Sequence, residues 1–390
     1  MKIGFVWDSD YPWDVRVEKV ATTLMAGGHD VYIICRNQEM RAVYEKADRL
    51  HIHRLPVITR NSRFLNSLLS FPAFFNVFWL IQIYRVLKHE RIDYLIVRDL
   101  PLCPAALFIS RVFKIPCAMD MAECYPELLR CIWKYEKFRF INIFVRNPFF
   151  ADMVERYCVK RLDKIFVMIE ESRERLLQMG VAGDKVVIVS NTPPSSLITS
   201  KAPNRENPVL TLLYLGILNP SRGLDTVIDG VSILKTQGIQ CRLKIAGTGK
   251  ARQTLEDRVR YLGLDDSVEF LGWVDRTQIE KLLTDIDVGV VPHHVCDHWN
   301  STIPNKLFDY MAAGIPVLST NVIPMTRIIE GYDCGVTYVD PDPESFASSF
   351  KKLMDAELRE EFGRHGRQAI DQIFNWENDS KRLLSSLATY

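Results

Sequence analysis

An excess of one charge, a cysteine framework and internal repeats are all missing from this 390-residue sequence. Its 49 Lys+Arg nearly cancel its 48 Asp+Glu. The chain-wide positive field of a nucleic-acid-binding protein is therefore lacking, and no nucleic-acid partner is expected. The nine cysteines are odd in number and contain no CxxC. That argues against a disulfide framework and for a reducing cytoplasm. The apolar stretch between Lys2 and Asp8 is too short for the core of a secretory signal. There is no tandem repeat and no low-complexity segment. A 47% hydrophobic and 25% charged composition excludes disorder, collagen and coiled coil. The length favours two domains over one.

The overall balance conceals an asymmetry. Residues 1–200 carry 28 Lys+Arg against 22 Asp+Glu, whereas the remainder carries 21 against 26. Between Arg49 and Lys164 the excess is concentrated, 19 against 10. A basic half suggests an anionic surface or ligand on that side. The same half holds a long uncharged run, the 21 residues Phe64–Tyr84. Its length alone would permit a membrane span. Pro72, Asn66, Asn76 and Gln82 weaken that reading, as does its place between two predicted strands of one sheet. Buried crossover helices and an interfacial amphipathic segment both remain open. The nearby Phe138, Phe140, Phe144, Phe149 and Phe150 favour a one-sided, peripheral contact with a bilayer.

Periodicity predicts two successive α/β domains. Lys2–Trp7 reads as a buried strand, Val15–Gly27 as a helix and Val31–Cys35 as the next strand, which is a βαβ unit and implies a parallel sheet. Tyr94–Val97, Cys117–Met119, Ile165–Val167 and Val186–Val189 continue the strands. Residues 191–208 contain four prolines, three asparagines and three serines, and read as a linker. The alternation then restarts with strands at Leu210–Leu215, Arg242–Ala246, Val268–Leu271, Val288–Val291 and Pro316–Ser319. Helices are expected at Leu224–Thr236, Thr254–Leu262, Ile279–Thr284 and Lys306–Ala313. The expected domains are 1–190 and 209–370, each a doubly wound parallel sheet, with 371–390 as a closing helix. Such sheets bind ligands beyond the carboxyl ends of their strands, so an interdomain cleft is the expected site.

Three strand ends in the second half suit an anion. A helix starting near Asn305, after Pro304, would offer free N–H groups and a positive dipole end, with Lys306 adding a cation. Asp309 one turn on could accept hydroxyl hydrogen bonds from a ribose. Gly216 to Gly223 follows a strand and contains Arg222, whose guanidinium can chelate phosphate oxygens. Ala246-Gly-Thr-Gly249 is the third. A solvated surface helix and ordinary turns are the plain alternatives.

These segments resemble glycosyltransferase family 4, the retaining nucleotide-sugar enzymes built of two facing Rossmann-like domains (the GT-B fold). The resemblance rests on PNKLFDYMAAGIPV, YLGILNPSRGLDTVIDG, LKIAGTG and VEFLGWV, with DVRVEKVATTLMAGGHDV and IFVMIEESRERLLQMG in the first half. It implies a donor that is a nucleotide-diphosphate sugar, UDP-linked first and GDP-linked second, with no resident cofactor and no metal. It implies that Arg222, Lys306 and Asp309 act on the donor. Gly216, Gly223, Gly247, Gly249, Gly272, Trp273, Val274, Asn300, Ser301, Pro304, Asn305 and Leu307 would complete the nucleotide site. Asp14 and Arg16, on the first loop, would approach the sugar phosphate, with Asp120 and Glu123 nearby. The implied acceptor is a glycan; the apolar and basic first half suggests that it is lipid-linked and met at the inner face of a membrane, with a soluble acceptor as the alternative. Four positions depart from the family pattern: Ser301 stands for the first acid of its E-x7-E, the shorter Asp309 for the second, Ile217 for an arginine and Ala122 for a histidine. They keep two other readings in play, a nucleotide-sugar epimerase and a non-catalytic nucleotide-binding scaffold.

Other signals are weaker. Asp8-Ser-Asp10 imitates a metal-binding DxD. His293-His-Val-Cys-Asp-His298 holds zinc-ligand types without a second pair at finger spacing, and reads as a polar loop by the sugar. Cys117, Cys124 and Cys131 recur every seven residues and read as packing.

Overall fold

The computed structural model describes residues 1–12, 14–57, 63–71, 74–135, 146–195 and 209–388. Two compact units result. The first comprises Met1–Arg130, Arg139–Ser190 and Asp379–Tyr390, and the second Cys131–Phe138 and Asn191–Asn378. Most of the proline-rich 191–208 stretch lies outside the described residues, as do Pro72, Phe138, Phe140 and Phe144.

The first unit runs β1 (Lys2–Trp7), α1 (Val15–Ala26), β2 (Asp30–Cys35), β3 (Tyr44–Ala47), β4 (Leu50–Arg54), α2 (Arg63–Leu69), α3 (Val77–Glu90) and β5 (Tyr94–Arg98). It continues with α4 (Cys103–Phe113), β6 (Cys117–Met121), α5 (Tyr125–Tyr135, whose residues from Cys131 on fall in the second unit), α6 (Pro148–Val159), β7 (Lys164–Val167), α7 (Glu170–Gln178) and β8 (Val186–Ile188). The strands order β3-β4-β2-β1-β5-β6-β7-β8. β1 and β5 are almost continuously apolar because helices cover both faces of a parallel sheet. One correction concerns the sheet: it is not wholly parallel, since β3 pairs antiparallel with β4. A tight turn through Asp48, at φ 52°, joins them and leaves β3 as an exposed, charged edge.

The uncharged run forms two helices. α3 buries Trp79, Ile83, Val86 and Leu87, while Val77, Ile81 and Tyr84 face solvent. The run is thus partly a crossover helix and partly an exposed apolar face. Among the described residues no helix is long and apolar enough to cross a membrane.

The second unit runs β9 (Leu210–Leu215), α8 (Leu224–Thr236), β10 (Cys241–Ala246), α9 (Arg252–Tyr261), β11 (Val268–Gly272), α10 (Arg276–Thr284), β12 (Val288–Val291) and α11 (Asn305–Ala312). Then come β13 (Val317–Thr320), α12 (Ile323–Gly331), β14 (Gly335–Tyr338), α13 (Pro343–Lys352), α14 (Ala356–Gln372) and α15 (Trp376–Leu387, whose residues from Asp379 on fall in the first unit). The strand order is β11-β10-β9-β12-β13-β14, every pair parallel. This is the order of dinucleotide-binding sheets, and it reverses direction between β9 and β12. Leu212, Tyr214, Leu243, Ile245, Val288, Val290 and Phe346 fill the core.

Two close approaches fix α11 against this sheet. A methyl group on Gly289 would lie 2.2 Å from the Tyr310 ring, so only glycine lets α11 settle on β12. The Tyr310 hydroxyl then donates to Leu213 O at 2.8 Å and accepts from Leu215 N–H at 3.2 Å. One turn of α11 is thereby tied to the carboxyl end of β9.

Candidate functional site: an anion cradle at the β9/β12 switch point

Lys306 lies one turn before Tyr310, so the same ties aim it at the end of β9. Its ammonium nitrogen sits 3.8 Å from the centre of the Tyr214 ring. It is also close to Gly216, where a methyl group would come within 3.1 Å of it. Gly216 has φ +134°, outside the range other residues adopt without strain. Lys306 Nζ is buried and has no hydrogen-bond partner among the described residues. Burial, and then the neighbouring Arg222, lower its pKa well below the usual lysine value, against an opposing pull from Asp309.

Arg222 ends the 3-10 turn Pro220–Arg222 that follows β9. Its guanidinium stacks over Trp299, 4.4 Å from the ring centre, and donates through Nη1 to His293 Nε2. Its Nε is buried with no partner among the described residues. His293 accepts this bond as a neutral ring: burial, then the charge of Arg222, push its pKa well down. His298 is pushed down to about 3 by the same two causes. Beside them His294 is held charged. Burial opposes this, but Asp340, at 2.7 Å from Nδ1, and Asp225, at 3.4 Å from Nε2, raise its pKa to about 9.

Arg222, on the turn after β9, and Lys306, in the first turn of the helix α11 that comes after β12, are thus neighbours. Both sit at the switch point where such sheets take ligands. The first N–H groups of α11 open beside them, with Pro304 as its cap residue and no side-chain cap. Leu307 is buried in the same turn, Asn305 is exposed and Asp309 is partly exposed.

The glycines of these strand ends pack closely against neighbouring backbone. A methyl group on Gly247 would lie 1.8 Å from Gly216 O, and one on Gly249 would lie 2.3 Å from Leu218 O. Backbone bonds Leu218 N–H to Thr248 O and Ala251 N–H to Leu218 O, each 2.9 Å, stitch the two loops together. Gly223, at φ +64°, lies where a methyl would meet Pro292 O at 2.0 Å. These residues make room for other backbone. Gly272 turns β11 outward at φ +73°, leaving Trp273 73% exposed and Val274 partly so.

Several expected ligands also make bonds inside the protein. Arg16 is not on a loop but in the first turn of α1, 2% exposed. Its Nε and Nη2 donate to Asp120, and its Nη1 donates to Ser190 O at 3.0 Å. Asp120, equally buried, also accepts from Arg98 Nη1 at 2.8 Å. Despite burial, the two arginines lower the pKa of Asp120. Asp14 caps α1, its carboxylate accepting from Val17 N–H. Glu123 donates its backbone N–H to Asp99 at 3.2 Å. Asn300 accepts from Ile323 N–H and so caps α12, and Ser301 donates to His298 O at 2.9 Å. Asp10, of the DxD-like triplet, accepts from Gln38 and Glu39 N–H. No metal-binding cluster is found among the described residues. Sequence reading missed Tyr214 and Trp299, the two rings under the cations. Tyr214 carries no local signal, being an ordinary core-strand aromatic. Trp299, next to a His-rich loop, carries a faint one.

Residues 14–192 match the glycosyl transferase 4-like domain, and residues 198–369 the glycosyl transferases group 1 family. Together they span nearly the whole chain, which belongs to the glycosyltransferases with this domain pair. The chain is 25% identical over 218 residues to WcaL of Salmonella typhimurium, a protein named for a role as a glycosyltransferase in colanic acid biosynthesis. That match covers 55% of this chain and 54% of WcaL, so the chain spans about half the length of the curated relatives it matches. Sucrose-phosphate synthase from Thermosynechococcus elongatus superposes with a TM-score of 0.77 at 16% identity, covering 100% of this chain and 98% of that one. HepE of Anabaena, in complex with UDP-glucose, gives 0.72 at 12% identity with all of both chains covered. The fold is that of the GT-B glycosyltransferases.

Proposed function

We propose that the protein transfers a glycosyl unit from a nucleoside-diphosphate sugar to a glycan acceptor, with retention of anomeric configuration. The observation that carries this reading is the buried, unpartnered ammonium of Lys306 beside Arg222. Burying a cation without a counter-charge is costly, and a diphosphate supplies the missing charge. Arg222 and Lys306 hold its oxygens, the first N–H groups of α11 add to their field, and Asp309 takes the ribose hydroxyls. When the glycosidic bond to the diphosphate breaks, negative charge grows on the leaving oxygens. Groups already aimed there stabilise that charge without reorganising. The departing phosphate takes the acceptor's proton on the same face, so no protein nucleophile is needed. A UDP-sugar is favoured because neighbours in this fold hold UDP-sugars. The acceptor is lipid-linked. The basic first half and the exposed Phe64, Ile81, Phe149 and Met153 favour an anionic membrane surface nearby.

Thermal-shift and calorimetric screening of UDP-, GDP- and ADP-sugars tests the donor, since a bound ligand stabilises the fold by mass action. Saturable binding lost in Arg222→Ala is the expected result; no binding to any of the three overturns the reading. Proton NMR of the product's anomeric signal tests retention, and inversion would refute it.

A further inference from the structure

We propose that Cys131 and Cys296 are a redox-active thiol pair whose closure to a disulfide switches the anion cradle off; its effect, though not its chemistry, rests on the donor site proposed above. The two sulfurs lie 4.0 Å apart and hydrogen-bond to each other. A disulfide needs about 2 Å, so closure asks for a shift of about 2 Å at the sulfurs.

Both thiols touch the cradle. Cys296 lies on the loop after β12 that carries His293, the partner of Arg222, and Trp299, the ring under it. Cys131 lies on α5, and its thiol also meets the side chain of Ser221, next to Arg222. One turn further along α5, Tyr135 stacks on His294 at 5.5 Å with the rings 8° from parallel. The end of α5 is therefore already seated on the loop, and a covalent bond would draw 296 and 131 together between Arg222's two supports.

Reactivity favours Cys296 as the attacking sulfur. It is partly exposed, whereas the other eight cysteines are buried. The hydrogen bond from Cys131, opposed by burial and helped by the backbone N–H groups of Trp299 and His298, lowers its pKa. The oxidant is hydrogen peroxide. The Cys296 thiolate attacks one peroxide oxygen, the O–O bond breaks, and the departing hydroxide takes the thiol's proton and leaves as water. The sulfenic acid so formed is attacked by Cys131. The S–S bond forms, the S–O bond breaks, and a second water leaves with the proton of Cys131. Two electrons pass from the sulfurs to the peroxide, and a dithiol reductant reverses the bond.

The full-length protein is treated with hydrogen peroxide, and thiol count, non-reducing peptide mass and UDP affinity are followed. The expected result is a fall from nine free thiols to seven with a single 131–296 cross-link. A loss of UDP affinity of at least about tenfold follows, restored by dithiothreitol. Cys296→Ser, and separately Cys131→Ala, should lose the cross-link and the peroxide response, each judged against its own untreated sample. Cys103 and Cys158, also hydrogen-bonded but wholly buried, serve as an internal control that should stay reduced. Absence of the 131–296 cross-link overturns the thiol pair. A cross-link that leaves UDP affinity unchanged overturns its coupling to the cradle. A reduced protein that never binds UDP sinks the donor-site reading instead, while mass and thiol count still decide the pair.

Discussion

Each unit places two cations at the carboxyl ends of its central strands, and it treats them in opposite ways. In the first unit Arg16 and Arg98 close on Asp120, and Arg16 also reaches a backbone carbonyl. In the second, Arg222 and Lys306 meet aromatic rings and a neutral histidine, and Lys306 Nζ finds no hydrogen-bond partner among the described residues. Both pairs occupy the same address in their sheets, next to the switch points β1/β5 and β9/β12. A buried cation that has its carboxylate is part of the scaffold. A buried cation left without one is, on the reading proposed above, the place where a charge from outside is taken.

The largest contrast comes from removing the carboxylate. Asp120→Ala leaves the buried Arg16 without a carboxylate, and Arg98 with only Asp99 at 3.3 Å and Asp14 at 3.8 Å; it should cost about 3–5 kcal/mol, read as a fall in the urea midpoint. If stability is unchanged, Asp120 is no scaffold ion. Arg222→Ala should instead leave stability within about 1 kcal/mol and weaken UDP binding by about 1.5–3 kcal/mol, measured by calorimetry. Loss of fold with intact binding would reverse the comparison.

Lys306→Met sharpens it further. Removing an unpaired amine from a buried place should raise ligand-free stability by about 1–3 kcal/mol while lowering UDP affinity. The sign with pH is fixed. The folded protein holds Lys306 with a lowered pKa, so the unfolded chain binds more protons, and wild-type stability should gain on the variant as pH rises toward 10.5. A gain as pH falls would contradict the lowered pKa. His294 gives the smallest effect, with the opposite sign. Raised to about 9 from 6.5, it contributes stability fully present below pH 6.5 and lost as pH climbs through about 9. His294→Asn should flatten that decline, worth about 1–3 kcal/mol in melts between pH 6 and 9.5. Equal slopes in both proteins would remove the Asp225–His294–Asp340 link.

Much of this architecture is written locally. The apolar run Leu210–Leu215 and the helical spacing of Leu224–Thr236 coincide with β9 and α8. The β3–β4 hairpin is not legible, because Tyr44–Ala47 is an exposed edge with no apolar face to alternate. Arg222 stands out because it follows a strand among turn residues, and Lys306 because it opens a helix just after Pro304. What joins them does not stand out, since Tyr214 and Trp299 become relevant only once the chain is folded. Arg16 and Asp120 are 104 positions apart, and no spacing announces their bond. The glycines are ambiguous for a physical reason: a tight backbone neighbour and a bound phosphate demand the same missing side chain.

The stitched loops after β9 and β10 bear on how this protein can change. Gly216 and Leu218 on one strand-end face Gly247, Thr248 and Gly249 on the other at backbone distance. Neither segment can be exchanged for that of a relative without its counterpart. Chimeras that retune donor preference must graft the two as a matched set, and single-loop transplants should yield misfolded protein rather than new specificity.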